Sequence, residues 1–167
     1  MKKVFLILLC FAGLITLAGC KKEVSYDDPV HFYYVSAEPS YEVQSTAIQS
    51  EVREGNALAT LEDAFMLYLQ GPKSDGLHNP FPAGLKLVSS ETEGDTLILT
   101  FSWHLSKLSG LDLTIACCCI ARTCLDFTDV KNVTIQASDS LLGGARSLTF
   151  NAENMLLLDQ AQQPKSE

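Results

Sequence analysis

The sequence predicts an α+β sandwich, two helices packed on one mixed or mainly antiparallel sheet. Three observations predict it. Several short runs alternate apolar with polar residues, the period of a half-buried strand, and two longer stretches switch to spacings of three and four, the period of an amphipathic helix. The runs follow one another as β-β-α-β-β-α-β-β.

Val30–Ser36, "VHFYYVS", is rich in β-branched and aromatic residues and opens the domain as a strand. Ala47–Glu54 is a second, weaker one. From Ala57 to Gln70 the period changes: Leu58, Leu61, Phe65 and Tyr68 place one apolar stripe on a helix, and Gly71-Pro72 stops it. A loop, "KSDGLHNPFPAG", follows. Leu85–Glu91 and Thr96–Ser102 flank "TEGD", a hairpin with Gly at its tip. Leu97, Leu99 and Phe101 share one face of its second arm. Leu111–Phe127 is the second helix. Lys131–Ala137 alternates again, with Val133 and Ile135 inward. Ser147–Phe150, "SLTF", is the last strand, and "ENMLLLD" closes the domain.

The second helix contains "IACCCIARTC", four cysteines in eight residues. At about 100° per residue, Leu113, Ile120, Ala121, Cys124 and Phe127 fall on the Cys117 side, with Cys119 opposite and Cys118 on the flank. The four cysteines differ by 1, 2, 5, 6 or 7 positions, never by the 3 or 4 that bring helical side chains together. Cys117 and Cys124 share a face but lie about 10.5 Å apart along the axis. A disulfide needs Cα atoms within about 7 Å, and a tetrahedral zinc needs every sulfur about 2.3 Å from one ion. Neither fits, so Cys117 and Cys124 are expected as small core residues. Cys119 lies on the opposite side and, if exposed, is the one candidate for a reactive thiol.

The N-terminus supplies an address. Lys2 and Lys3 precede the uncharged run "VFLILLCFAGLITLAG", which is short for a membrane-spanning helix of about 20 residues and reads as an export signal, residues 1–19. Leu17-Ala18-Gly19-Cys20 matches the bacterial lipobox recognised by signal peptidase II, and the Cys20 thiol is the expected lipidation site. A diacylglyceryl (palmitate-type) anchor matters because a single acyl chain binds membranes only marginally. Residues 20–29 then form the lipidated cysteine and a short tether, 30–160 the domain, and 161–167 a disordered tail. The expected location is the extracytoplasmic face of a bacterial cell membrane.

Loss of Lys2 and Lys3 with the signal leaves 10 of the 12 basic side chains against 20 acidic ones, a net charge of −10. Such a chain is repelled by nucleic acid, which is excluded as a partner.

No reaction chemistry is advertised. His31, His78 and His104 lack the helical spacing of a zinc protease, and no nucleophile elbow, phosphate loop or dinucleotide fingerprint occurs. Glu91, Glu93 and Asp95 lack the alternating oxygen ligands of a calcium loop and read as a solvated turn. No catalytic residue, metal or cofactor is expected. In the loop "GLHNPFPAG", Leu77 and Phe81 are the candidate interaction residues, with folding back over the sheet as their other option.

The run Ala57–Ser102 resembles the signature of the GerMN domain of sporulation and germination lipoproteins. The matching motifs are Tyr68-Leu69-Gln70-Gly71-Pro72, Pro82-Ala83-Gly84 and Leu99-Thr100-Phe101-Ser102, with the later helix and "VKNVTIQASDS" in the family's order. The resemblance covers most of Val30–Asp159. It implies a fold related to the ring-building motifs of secretion and sporulation channels, and a non-catalytic module that assists assembly of envelope complexes. Its implied partners are envelope proteins or further copies of itself. A small-ligand-binding lipoprotein is the alternative, which predicts an apolar pocket with convergent polar groups.

Overall fold

The computed structural model describes residues 29–37, 47–54 and 60–155. The expected signal, lipobox, all of the tether but Pro29, and the C-terminal tail lie outside these residues, as do Leu58 and most of the closing segment.

The α+β class holds, but the strands divide between two sheets where one was expected. In the first, β1 (Val30–Ser36) pairs antiparallel with β2 (Ile48–Arg53) on one side and with β3 (Leu77–His78) on the other. The second has the order β4 (Leu87–Glu93), β5 (Thr96–Phe101), β6 (Asn132–Ala137), β7 (Ser147–Asn151). Its outer pairs are antiparallel, whereas β5 and β6 run parallel. Alternation along a strand fixes which face is buried but carries nothing about which strand lies beside it.

The helices explain the division. Helix α1 (Leu61–Tyr68) and helix α2 (Gly110–Phe127) lie between the sheets, preceded in the second case by a 3₁₀ turn at Trp103–Lys107. The Tyr68 ring of α1 packs 5.0 Å from Phe32 and 5.1 Å from Tyr34 on β1, while Phe65 meets Phe101 of β5 at 5.5 Å. Helix α2 packs against β1 on one flank and against β6 and β7 on another. Strand β1 buries Val30, Phe32 and Tyr34, and β5 and β6 bury Leu97, Leu99, Phe101, Val133 and Ile135. These inward faces and the two helices form one apolar core.

Each helix has a local reason to begin and end. The Thr60 hydroxyl accepts the Asp63 N–H at 3.1 Å, and Glu62 and Asp63 complement the positive end of the α1 dipole. Helix α1 stops at Gly71, whose φ of +95° suits only glycine, and a Cβ there would lie 2.9 Å from the Asn79 side chain. At the far end of α2 the Thr128 hydroxyl and N–H both donate to the Cys124 carbonyl. Among the described residues, no helix is long and apolar enough to cross a membrane.

Candidate functional site

The four cysteines of α2 are structural. Cys117, Cys119 and Cys124 have no exposed surface and Cys118 is 7 % exposed, all four as free thiols. The condition on which Cys119 was a candidate reactive thiol, its exposure, is therefore not met. A helix on one sheet would leave that side to solvent, but α2 has β1 against it as well. Thr123, on the Cys119 side, accepts the Tyr33 N–H at 3.0 Å, and the Arg122 guanidinium sits 5.3 Å from the Tyr33 ring centre. Burial pushes the Cys117 thiol up to about 12 and raises those of Cys118, Cys119 and Cys124, so none is a thiolate at neutral pH. Among the described residues no three His, Cys, Asp or Glu side chains converge as a metal site would require.

The loop after α1 is held from within. Leu77 and Phe81 are each 8 % exposed, and the Phe81 ring packs 4.9 Å from Tyr68 and 6.4 Å from Tyr34. They cap the aromatic core, so they do not offer the apolar surface expected of an interaction loop. Leu77 belongs to β3, a two-residue strand too short to leave a periodic trace in the sequence. Behind the loop, Glu51 and Arg53 of β2 form a buried ion pair. The Glu51 carboxylate accepts the N–H groups of Lys73 and Ser74 at 2.8 Å each, and Arg53 donates to the Gly71 carbonyl. Burial alone would raise the Glu51 carboxyl, but the hydrogen bonds from Ser74, Arg53 and Lys73 outweigh it and hold it below the usual carboxylate range.

Among the described residues, three of the six large exposed apolar residues follow the ends of the parallel strands β5 and β6 or begin the helix that joins them. Trp103, 50 % exposed, follows β5, stacks on His104 with ring centres 4.3 Å apart, and carries the Lys107 ammonium 4.6 Å from its own ring centre. His104 shares a hydrogen bond with Ser102, and Gly84 packs against its ring so closely that a Cβ would lie 3.1 Å from Nε2. Leu111, 72 % exposed, starts α2, and Leu141, 55 % exposed, follows β6. The loop bearing Leu141 sits on the first turn of α2, since a Cβ on Gly143 would touch Leu113 at 3.4 Å. A cation over an exposed tryptophan has the composition of a protein contact point. Sequence reading missed it; the only trace was the chain's single tryptophan four residues before a lysine.

The same end carries an open groove of about 570 Å³, lined by Thr100, Gln136, Ser138, Asp139, Ser140 and Arg146 with Leu141 at its side. The lining is hydroxyl- and amide-rich. The apolar pocket that a small-ligand binder would need is not what this groove offers.

The remaining candidates are scattered. His31 lies on β1, His78 on β3 and His104 in the 3₁₀ turn. Glu91, Glu93 and Asp95 are exposed around the β4–β5 turn, where Asp95 pairs with Lys131 at 2.6 Å. Leu17, Ala18, Gly19 and Cys20 lie outside the described residues.

Comparison with known proteins places these features in a family. The model of the Germane family, described as sporulation and spore germination, matches residues 31–142. Among solved structures, the tandem GerMN domains of the sporulation protein GerM from Bacillus subtilis are similar at 20% identity and a TM-score of 0.49. That match covers 67% of this chain and 39% of the GerM chain. A protein from Clostridium perfringens designated a lipoprotein is similar at 20% identity and a TM-score of 0.47, covering 78% of this chain and 91% of its own. No curated protein matches. The matched span runs from β1 to the loop after β6, and includes the Gly71 that ends α1 and the Gly84 beneath His104: the chain belongs to the Germane (GerMN) family of sporulation and spore germination proteins.

Proposed function

We propose that this chain is a lipid-anchored module on the outer face of a bacterial cell membrane, which assists assembly of a sporulation or germination complex by binding other envelope proteins. It performs no catalysis in this reading. The family description and the Leu17–Cys20 lipobox support the setting. The observation that carries the binding role is the exposed Trp103, stacked on His104 and capped by Lys107, with Leu111 and Leu141 presented at the same end of the fold. Large aromatic side chains held rigid at a surface contribute most where they enter a partner's pocket.

The experiment is photo-crosslinking in the producing cell, with a photoreactive residue at position 103 or, as a remote control, at Glu93. A discrete adduct with an envelope protein from position 103 alone, lost on Leu111→Asp, is expected. Equal capture from both positions, or none from 103, would reject this surface. Cys20→Ser tests the anchor separately and is expected to abolish lipidation and membrane retention.

A further inference from the structure

Strand β7 is an outer strand of the second sheet, and the chain's own next turn closes part of its free edge. In its antiparallel pair with β6, the Thr134 and Thr149 hydroxyls are 2.9 Å apart, the closeness of a pair that exchanges no main-chain bonds. The main-chain groups of Ser147, Thr149 and Asn151 therefore point away from β6, out of the sheet. Asn154 meets them there as a neighbouring strand would. Its amide nitrogen donates to the Thr149 carbonyl at 3.1 Å, and its amide oxygen accepts the Asn151 N–H at 2.8 Å. The Met155 N–H donates to the Asn151 carbonyl at 3.2 Å and covers a third group. The turn is fixed at both ends. The Asn151 side chain accepts the N–H groups of Glu153 and Asn154 at 3.0 and 2.9 Å, and the Met155 side chain is buried.

The other edges are guarded differently. Strand β4 carries Glu91, Glu93 and a register break between Leu87 and Ser89, β2 carries Glu51 and Arg53, and β3 has only two residues. Charges, bulges and short length all discourage a foreign strand. Strand β7 has five residues with no charge and no proline, in unbroken register with β6.

We infer that Asn154 is an edge plug, an autoinhibitory contact that closes β7 to a second copy of this chain. The strand is complementary to itself. Antiparallel pairing about a two-fold axis at Thr149 matches every outward residue, Ser147 with Asn151 and Thr149 with Thr149. Each of these pairs uses Thr149 or Asn151, and Asn154 holds both. The same register sets Leu148 opposite Phe150, two half-buried residues of the core face that the sheet edge leaves part-covered. It also brings Arg146 beside the second copy's turn, which carries Glu153, so opposite charges approach where a net charge of −8 would otherwise repel. The inference is independent of the lipid anchor and of the Trp103 surface.

The test is sedimentation velocity on the full chain in excess detergent micelles, so that most micelles hold one anchor. Concentration is varied over about 10–500 µM, a range in which weak pairs form and dissociate. The parent is expected to stay monomeric. Asn154→Ala should pair at least about tenfold more tightly, with Asn154→Ser as the milder change, because two competing hydrogen bonds per copy are lost or weakened. Thr149→Lys added to Asn154→Ala should restore the monomer, since the two-fold axis sets like charges directly opposite. Asn154 is exposed in a turn, so each variant is expected to keep the parent's amide spectrum outside residues 147–155. The inference is overturned if both Asn154 variants associate no more than the parent. It is equally overturned if their pairing survives Thr149→Lys.

Discussion

Tyr34 and Tyr68 cross over each other: the Tyr34 hydroxyl donates to the Tyr68 carbonyl at 2.8 Å, and the Tyr68 hydroxyl donates to the Tyr33 carbonyl at 2.6 Å. One bond satisfies a carbonyl in the last turn of α1, and the other a carbonyl of β1. Together with Thr123, which accepts the Tyr33 N–H, these side chains satisfy main-chain groups of β1 beyond the short reach of β3.

Tyr68→Phe keeps the ring contacts and removes only the hydroxyl, leaving a partly buried carbonyl without that donor. The expected cost is about 1–3 kcal/mol, measured by urea unfolding. Tyr34→Phe should cost a similar amount, and the double variant should differ from the sum because the two bonds share an interface. An unchanged midpoint for Tyr68→Phe would show that the hydroxyl contributes nothing to docking α1.

The Glu51–Arg53 pair predicts acid sensitivity. The Glu51 carboxyl titrates below its ordinary value in the folded chain, so the unfolded chain binds the proton first as pH falls. Its stabilisation is therefore present above the ordinary carboxylate range and disappears as pH drops through the folded value. Glu51→Gln strands the buried Arg53 charge and is expected to cost about 3 kcal/mol at neutral pH. The loss between pH 7 and pH 3 should be smaller in Glu51→Gln than in the parent, as read from denaturation midpoints.

The thiols of α2 predict the opposite flank. Their folded values are raised, so below pH about 8.5, where unfolded thiols are also protonated, they leave stability untouched. Above that the unfolded chain loses protons that the folded chain retains, and stability falls towards the Cys117 value of about 12. Each thiol contributes a slope of up to about 1.4 kcal/mol per pH unit. Cys117→Ala should lessen the alkaline slope even though it lowers stability at pH 7. At neutral pH an alkylating reagent should label Cys118 first and Cys117, Cys119 and Cys124 only on unfolding; rapid labelling of Cys119 would contradict its burial.

Gly84 has a φ of +82° and supports the His104 ring. Gly84→Ala should cost about 1–2 kcal/mol through the left-handed backbone alone. It should also displace His104 and so disturb the Trp103 stack, visible as a shift in the emission of the single tryptophan. Unaltered emission would show that Trp103 is positioned without help from Gly84.

Much of the fold was legible because burial follows period. The first strand was read with its observed bounds, and the helix at 111–127 began one residue late. The apolar side of that helix was read correctly through Leu113, Cys117, Ile120 and Cys124, all buried. What stayed hidden depends on distant contacts. Cys119 and Thr123 look polar on a helical wheel, and only the second packing surface, β1, buries them. Phe81 looked like a loop residue because the aromatic ring that receives it, Tyr68, is on another element, and Leu77 because its strand pairs with distant β1 over only two residues. The groove and the Trp103 surface collect residues from β5, β6 and the loops that follow, and no local spacing marks them.

The parallel pairing of β5 with β6 sets an order of events. The β4–β5 hairpin closes over two residues, Gly94 and Asp95, but β6 cannot arrive until residues 102–131, including all of α2, have been laid across. Until then the flank of Thr96–Phe101 that β6 will occupy stands open, with its N–H and C=O groups ready for any extended segment. Contacts this far apart along the chain form slowly. The middle of the finished sheet is thus an open flank of the nascent one, and a point at which two newly made copies can exchange strands.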